Sequence, residues 1–212
     1  MAGCTFGHFF NPYPGELLKI KYICVYCGSS AGKNPAFSQA AVMLAQEMCK
    51  RDIGLVYGGA AVGIMGAVAD AVLEAGGKAI GVIPKSLAIK EVAHENLTGL
   101  HVVASMHERK AMMAELADGF IALPGGWGTL EEIFEILTWA QLGFHDKPCG
   151  LLNTEGYYDG LIGFLDNAFE QQFVNELYRP MLMTSVKPAS LLDQFAVYKA
   201  PKVRKWMAED EL

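Results

Sequence analysis

The sequence has little charge and no run of basic residues. Charged residues make up 19% of its 212 residues, Asp and Glu outnumber Lys and Arg by 23 to 17, and no segment interleaves basic and aromatic residues. Nucleic-acid binding is therefore disfavoured, because it depends on basic patches. Residues 1–19 have neither a basic start nor a long apolar stretch, so we expect no signal peptide and no membrane anchor.

Cysteines are few and odd in number: there are five, and they fall in apolar segments. This usage is typical of reduced thiols in a cytoplasmic protein. Cys24 and Cys27 form a CxxC pair inside a β-type run, whereas a redox pair needs a helix N-terminus to stabilise its thiolate. We interpret both as core residues of a strand. No second Cys or His pair follows at ligand spacing, so no zinc site is predicted.

Hydrophobic residues make up 52% of the chain, and from Ile20 onward short apolar runs alternate with segments of helical period. This alternation is typical of an α/β fold, a doubly wound parallel sheet with helices on both faces. The predicted strands are 21–27, 54–57, 79–83, 101–103, 119–123, 148–152 and 181–184, and the predicted helices are 35–51, 63–75, 106–117, 129–142, 157–173 and 188–197.

The chain shows no internal repeat and no interdomain linker. Its length suits one α/β domain, which we predict over residues 20–200, between an N-terminal extension (1–19) and a charged C-terminal tail (201–212). The segment 85–99 has weak periodicity and many polar residues, so it is predicted to be a mobile loop near a site.

The turn Pro124–Thr129, with the sequence Pro-Gly-Gly-Trp-Gly-Thr, is the strongest local signal. It connects a predicted strand to a predicted helix, the place where doubly wound sheets bind ligands. Glycines let the backbone approach a phosphate, and the N–H groups at the helix start point at the anion. We interpret it as an anion site, with an ordinary tight turn as the alternative. The GxxxxGK[ST] pattern is absent, so a P-loop kinase or ATPase is disfavoured. The GxGxxG pattern with its acidic residue is also absent, so dinucleotide binding is disfavoured.

Two carboxylates, Glu131 and Glu132, follow this turn. Thr129 and Glu132 have the spacing of a capping box, in which the glutamate only bonds the helix start. Alternatively, a carboxylate beside a bound sugar phosphate can stabilise an oxocarbenium-like ribosyl centre or activate water. The pattern leaves both interpretations open.

Another helix start is predicted at Ser105, which has capping-box spacing to Glu108. Arg109 and Lys110 follow in the first turns, where the helix dipole disfavours cations. They form either a solvated surface pair, the usual place of basic residues, or donors to an anion, with Arg supplying a planar fork and Lys a point charge. The sequence does not decide between these.

Together, the segment Met106-His-Glu-Arg-Lys110 and the segment Pro124-Gly-Gly-Trp-Gly-Thr-Leu-Glu-Glu132 resemble the paired motifs of the Lonely Guy (LOG) family, the cytokinin riboside 5′-monophosphate phosphoribohydrolases. The family's PGGxGTxxE motif is complete, and the resemblance runs from about Ile23 to about Pro188. Trp127 departs from the Tyr or Phe common there. The resemblance implies a Rossmann-like homodimer that cleaves the N-glycosidic bond of AMP or of cytokinin riboside 5′-monophosphates, releasing free base and ribose 5-phosphate.

The resemblance also implies roles for individual residues. Arg109 and Glu132 would be catalytic, the partner would be a small-molecule nucleotide, and neither a metal nor an organic cofactor would be needed. Substrate contacts are implied for Glu91, Arg109, Lys110, Gly126, Trp127, Gly128, Thr129, Leu130, Glu131, Glu132 and Thr138.

Two other functions stay open from the sequence. A nucleotide-binding carrier of the same fold would need the glycine turn but not a carboxylate beyond it. Proteins resembling this one are also labelled lysine decarboxylases, a chemistry that needs a pyridoxal phosphate Schiff-base lysine and an acidic partner for the ring nitrogen. No lysine of the sequence stands in a setting that argues for either. The preferred base depends on pocket shape, which the sequence does not give.

Overall fold

The computed structural model describes residues 18–88 and 93–202, and within these ranges seven parallel strands form one sheet. The strands are β1 (Tyr22–Tyr26), β2 (Gly54–Tyr57), β3 (Ala79–Pro84), β4 (Gly99–Val103), β5 (Gly119–Ala122), β6 (Cys149–Leu152) and β7 (Leu182–Ser185). The helices are α1 (Ala36–Lys50), α2 (Gly63–Glu74), α3 (Lys85–Ala88), α4 (Met106–Leu116), α5 (Trp127–Leu142), α6 (Asp159–Glu170) and α7 (Pro188–Ala196), with 3₁₀ turns at Thr154–Gly156 and Glu176–Met181.

The strand order is β4-β3-β2-β1-β5-β6-β7, so the chain winds outward from β1 in one direction and then from β5 in the other. This confirms the predicted fold class. The direction reverses between β1 and β5, and a ligand crevice is expected outside the carboxyl ends of these two strands. Every strand and helix predicted from the sequence is present, with bounds that differ by only a few residues.

The side chains of the sheet alternate between two cores, one on each face. Ile23 and Val25 of β1 belong to a core shared with α1, α2 and α7, whereas Cys24 and Tyr26 point to the opposite core, shared with α4 and α5. Cys24 and Cys27 are buried free thiols, so the interpretation of the CxxC pair as strand core is confirmed. Among the described residues, no helix combines the length and apolarity that crossing a bilayer requires.

Two local predictions need correction, the start of one helix and the first residues of a predicted loop, whose mobility stays a prediction. The helix α5 begins at Trp127 and not at 129, because Gly126 already has the non-helical backbone of an N-cap. The segment predicted as a loop over 85–99 opens with a helical turn, α3, and its residue His94 is buried. Residues 89–92 of this segment lie outside the described part of the chain.

Glycine is required where the second strand turns into α2. Gly63 has a φ of +61°, and a Cβ there would overlap the backbone carbonyl of Ser29. The start of α2 therefore lies against the turn that follows β1, and the N–H groups of Ile64 and Met65 donate to the Gly28 carbonyl. This contact helps to fix one wall of the crevice between β1 and β5.

Candidate functional site

A cavity of about 250 Å³ opens at the carboxyl ends of β1 and β5, where the winding direction changes. Three turns contribute to it: the one after β1, the one after β2 and the one that opens α5. The residues that line it are Val25, Tyr26, Cys27, Gly28, Ser29, Gly58, Met65, Met106, Arg109, Met113, Gly126, Trp127, Gly128, Thr129, Glu131 and Glu132. This is the place where a doubly wound sheet binds its ligand.

The N-terminus of α5 forms one wall of the cavity. With Gly126 as N-cap, the N–H groups of Trp127, Gly128 and Thr129 belong to the first turn and have no acceptor within the helix. Such a terminus carries partial positive charge and binds anions. Gly125 must be glycine, because a Cβ there would overlap Thr129 Oγ1. The turn therefore has the geometry of the anion site that its sequence predicts.

Arg109 projects from α4 into the cavity although it is buried, with 8% of its surface exposed. Its Nε donates to the Val82 carbonyl at 3.1 Å, which fixes the guanidinium against the C-terminal half of β3. A Cβ on Gly58 would overlap Arg109 Nη2, so the glycine after β2 leaves the room that the guanidinium occupies. Arg109 Nη1 lies 3.5 Å from Glu132 Oε1.

Glu132 lies in the second turn of α5 and is 8% exposed. Burial raises the pKa of this carboxyl to about 7, against the opposing attraction of Arg109, while Glu131 adds a smaller repulsion. A carboxyl that titrates near neutrality beside a fixed guanidinium has the properties of a catalytic acid or base.

Lys110 is also buried, and it is neutralised by two carboxylates of α5. Its Nζ donates to Glu131 Oε1 at 2.5 Å and to Glu135 Oε1 at 2.9 Å. Burial works to lower the lysine pKa, but these hydrogen bonds outweigh it and raise the pKa. The ammonium therefore connects α4 to α5 and holds Glu131 beside the cavity.

The structure brings most of the expected site residues together. Arg109, Gly126, Trp127, Gly128, Thr129, Glu131 and Glu132 all line the cavity. Lys110 does not line the cavity but is paired with Glu131, which does. Leu130 packs against the core on the α4 and α5 side of the sheet. Thr138 is exposed nine residues beyond Thr129, roughly 13 Å along the helix, and its hydroxyl donates to the Phe134 carbonyl. Glu91 lies outside the described residues.

Two of the alternative interpretations are wrong. Thr129 is not an N-cap, because α5 begins two residues earlier, so Thr129 and Glu132 form no capping box. Arg109 and Lys110 are not a solvated pair, because both are buried. The predicted cap at Ser105 is present, since Ser105 Oγ accepts from the Glu108 N–H at 3.2 Å, but the return bond of the box is shifted by one residue: Glu108 Oε2 accepts from the Ala104 N–H at 2.9 Å.

Several residues of the site have no sequence signal that points to them. Glu135 stands one helical turn beyond Glu131 and completes the Lys110 pairing. Tyr26, the last residue of β1, lines the cavity, as do Met65, Met106 and Met113. Apolar residues at strand ends and on helices are ordinary core positions in a sequence, so only the fold shows that they face the cavity.

A doubly wound sheet with a glycine-rich helix start at its switch point defines the Rossmann-like class of proteins. Among solved structures, the chain is similar to a molybdenum cofactor binding protein from Rippkaea orientalis, with a TM-score of 0.62 at 22% identity over 83% of this chain and 95% of that one. It is also similar to the molybdenum cofactor carrier protein of Chlamydomonas reinhardtii, with a TM-score of 0.62 at 19% identity over 85% of this chain and 100% of that one. These likenesses show the fold.

Residues 65–195 match the family model described as possible lysine decarboxylase. Two relatives from Arabidopsis thaliana are cytokinin riboside 5′-monophosphate phosphoribohydrolases: LOG1, 46% identical over 90% of this chain and 92% of its own, and LOG7, 48% identical over 85% and 83%. The chain therefore belongs to the LOG family.

Proposed function

We propose that the protein is a phosphoribohydrolase that hydrolyses the N-glycosidic bond of purine nucleoside 5′-monophosphates, either AMP or cytokinin riboside 5′-monophosphates, and releases free base and ribose 5-phosphate. The observation that carries this proposal is the buried pair of Arg109 and Glu132, 3.5 Å apart, beside the free N–H groups of α5. The names of the relatives at 46% and 48% identity support the same reaction.

The 5′-phosphate binds at the turn from Gly126 to Thr129. The helix start supplies N–H donors and partial positive charge, and the Thr129 hydroxyl can add a further donor. Because the glycines carry no Cβ on this side, the phosphate can approach the backbone closely. No basic side chain is needed to balance the phosphate directly, which agrees with the pairing of Lys110 to Glu131 and Glu135.

Glu132 and Arg109 act on the ribose. As the bond from C1′ to the base nitrogen breaks, positive charge develops on the ribosyl ring, and the Glu132 carboxylate stabilises it. Glu132 also guides water to C1′, where the new C–O bond forms, and Arg109 orients the nucleotide. The bonding electrons leave with the base, which takes up a proton. Since the pKa of Glu132 is about 7, the carboxylate needed for this role is present in a large fraction of molecules near neutrality.

Substrate preference can be measured directly. Wild-type protein is incubated with AMP, isopentenyladenosine monophosphate, IMP and GMP, and free base is followed by chromatography. We expect free adenine or its N6-substituted form to appear with time. If none of the four nucleotides releases base, the proposed reaction is wrong.

The protein is proposed to act as a homodimer in the cytoplasm, with the site near the subunit interface. The described cysteines are free thiols, as expected in a reducing compartment. On the face formed by α4, α5 and α6, apolar side chains remain partly exposed, among them Phe134, Leu137 and Trp139 of α5. A second copy would cover them and would also give Thr138 a partner surface. A monomeric mass by light scattering at micromolar concentration would contradict the dimer.

A nucleotide carrier without turnover is the second candidate, and the structural likeness to cofactor carriers supports only the fold. A carrier needs the helix start but gains nothing from a buried carboxylate that titrates near neutrality, so Glu132 favours the enzyme. Retention of unchanged AMP after long incubation with stoichiometric protein would favour the carrier.

Lysine decarboxylation is not supported by the residues beside the cavity. A Schiff base with pyridoxal phosphate forms on a neutral amine. Lys110, the lysine next to the cavity, is instead held as an ammonium by Glu131 and Glu135, which raise its pKa against the effect of burial. The site therefore does not fit that cofactor, in spite of the description of the family model.

A further inference from the structure

We propose that Tyr157 and Tyr158 are positioning residues for the phosphate site. Their hydroxyl groups hold carbonyl groups of the glycine turn so that these oxygens point away from the bound phosphate. This inference rests on the proposed function of the cavity. Both tyrosines lie in the segment after β6, and neither is among the described residues that line the cavity. Their hydroxyl groups donate to two carbonyls of the turn: Tyr157 to Gly125 and Tyr158 to Leu123, each at 2.6 Å.

The carbonyls along the strand end all have donors. Besides the two tyrosine contacts, the Pro124 carbonyl accepts from the Gly28 N–H at 3.1 Å, and the Gly126 carbonyl accepts from the Leu130 N–H at 3.1 Å. Four consecutive carbonyl oxygens, from Leu123 to Gly126, are therefore engaged within the protein. None of these oxygens has to face an incoming phosphate, whose negative charge would repel it.

The Tyr157 contact has a direct consequence for the anion site. A trans peptide is planar, and its N–H points opposite to its C=O. Holding the Gly125 carbonyl against Tyr157 therefore directs the Gly126 N–H away from Tyr157, and Gly126 lines the cavity. Glycines rotate at little cost, so without the hydroxyl this peptide can turn over and present an oxygen in place of a donor.

Both tyrosines have contacts of their own that fix their positions. Tyr158 is 1% exposed, and its backbone N–H donates to Asn153 Oδ1 at 2.7 Å, while Asn153 Nδ2 donates to Asp159 Oδ1 at 2.7 Å. The Tyr157 ring makes edge contacts with Tyr158, at 5.0 Å between centroids, and with Phe37 of α1, at 5.4 Å. The hydroxyls thus belong to a frame of packed and hydrogen-bonded groups, which positions the carbonyls of the glycine turn.

The test uses Tyr157→Phe and Tyr158→Phe, which remove only the hydroxyls. We expect each variant to bind ribose 5-phosphate about threefold to tenfold more weakly by calorimetry, the change typical of one hydrogen bond. The KM for AMP should rise by a similar factor with kcat within twofold of wild type. A general loss of structure would instead lower kcat and melting temperature together. Tyr178→Phe, in the turn Glu176–Met181, is the control and should change none of these.

Wild-type affinity for ribose 5-phosphate in both variants would overturn the inference. Tyr157 is 45% exposed, so its variant stays informative even if Tyr158→Phe does not fold. If wild-type protein binds ribose 5-phosphate but hydrolyses no nucleotide, the proposed function fails while the binding comparison still tests the two tyrosines. The two ideas are therefore separable.

Discussion

The two faces of the sheet are built differently. On one face, the buried residues of α1 and α2 are all apolar, for example Leu44 and Met48 of α1 and Val68 of α2. On the other face, α4 buries Arg109 and Lys110 beside a single methionine, and α5 buries Glu132. Burying charge costs desolvation free energy, which the pairing of Arg109 with Glu132 and of Lys110 with two carboxylates of α5 offsets only in part.

The helix α6, on the same side of the sheet as α4 and α5, also differs from α1 and α2. None of its residues, 159–170, is fully buried, although Leu161, Ile162 and Leu165 are half-buried and Phe164 is 64% exposed. The apolar side chains at this surface are those that the proposed second copy would cover, whereas the α1 and α2 face forms a core.

The largest effect is expected in the core of the apolar face. Leu44→Ala, at a fully buried position, should lower the free energy of unfolding by about 2–5 kcal/mol, while Leu161→Ala on α6 should lower it by about 1 kcal/mol or less in the monomer. Denaturant titration at low protein concentration measures both. Equal losses would mean that the two faces do not differ as described.

Next in size is the effect of Glu132→Gln on catalysis. The amide keeps the size of the side chain but cannot stabilise a ribosyl cation by charge, so kcat for AMP should fall by about 100-fold or more, which corresponds to about 2.7 kcal/mol. The melting temperature should change little, since Glu132 has no capping role and the amide oxygen of the variant can still accept from Arg109. Glu131→Gln is the matched control and should change KM more than kcat. Near wild-type kcat in Glu132→Gln would remove this residue from the mechanism.

The sequence predicts every strand and every helix except the short α3, because an alternation of buried strands and amphipathic helices can be read from apolar spacing alone. It also locates the glycine turn. It does not predict the burial of Arg109, since that depends on the absent Cβ of Gly58 in another strand turn. Nor does it exclude a cap at Thr129, because capping depends on where the helix begins, and the three glycines before Thr129 allow more than one start.

The buried carboxyl should also make stability depend on pH. Burial raises the folded-state pKa of Glu132 from 4.5 to about 7, so folding favours the protonated form. The contribution of Glu132 to the free energy of unfolding is therefore fully present below about pH 4.5, and it is lost as the pH rises through 7. Relative to Glu132→Gln, wild type should lose on the order of 2 kcal/mol between pH 5 and 8. A constant difference across this range would contradict the burial of the charge.

The smallest effect is expected from a variant that fills the space next to the Arg109 guanidinium. Gly58→Ala should displace Arg109 and lower kcat/KM for AMP by about tenfold, or about 1.4 kcal/mol, because a small shift of a catalytic group is costly. Gly163→Ala serves as control: an added Cβ there meets open space on α6, so activity should not change. If both variants keep wild-type kcat/KM, Arg109 does not depend on Gly58.

The most direct test of the account compares AMP with adenosine as substrates for the wild-type protein. If the start of α5 binds the 5′-phosphate and holds the ribose against Glu132, the phosphate contributes to transition-state binding, and only the nucleotide should release adenine at a measurable rate. The quantity to measure is kcat/KM for each, from free adenine formed over time. We expect turnover of AMP and none of adenosine, and equal kcat/KM for the two would contradict the assignment of the glycine turn as the phosphate site.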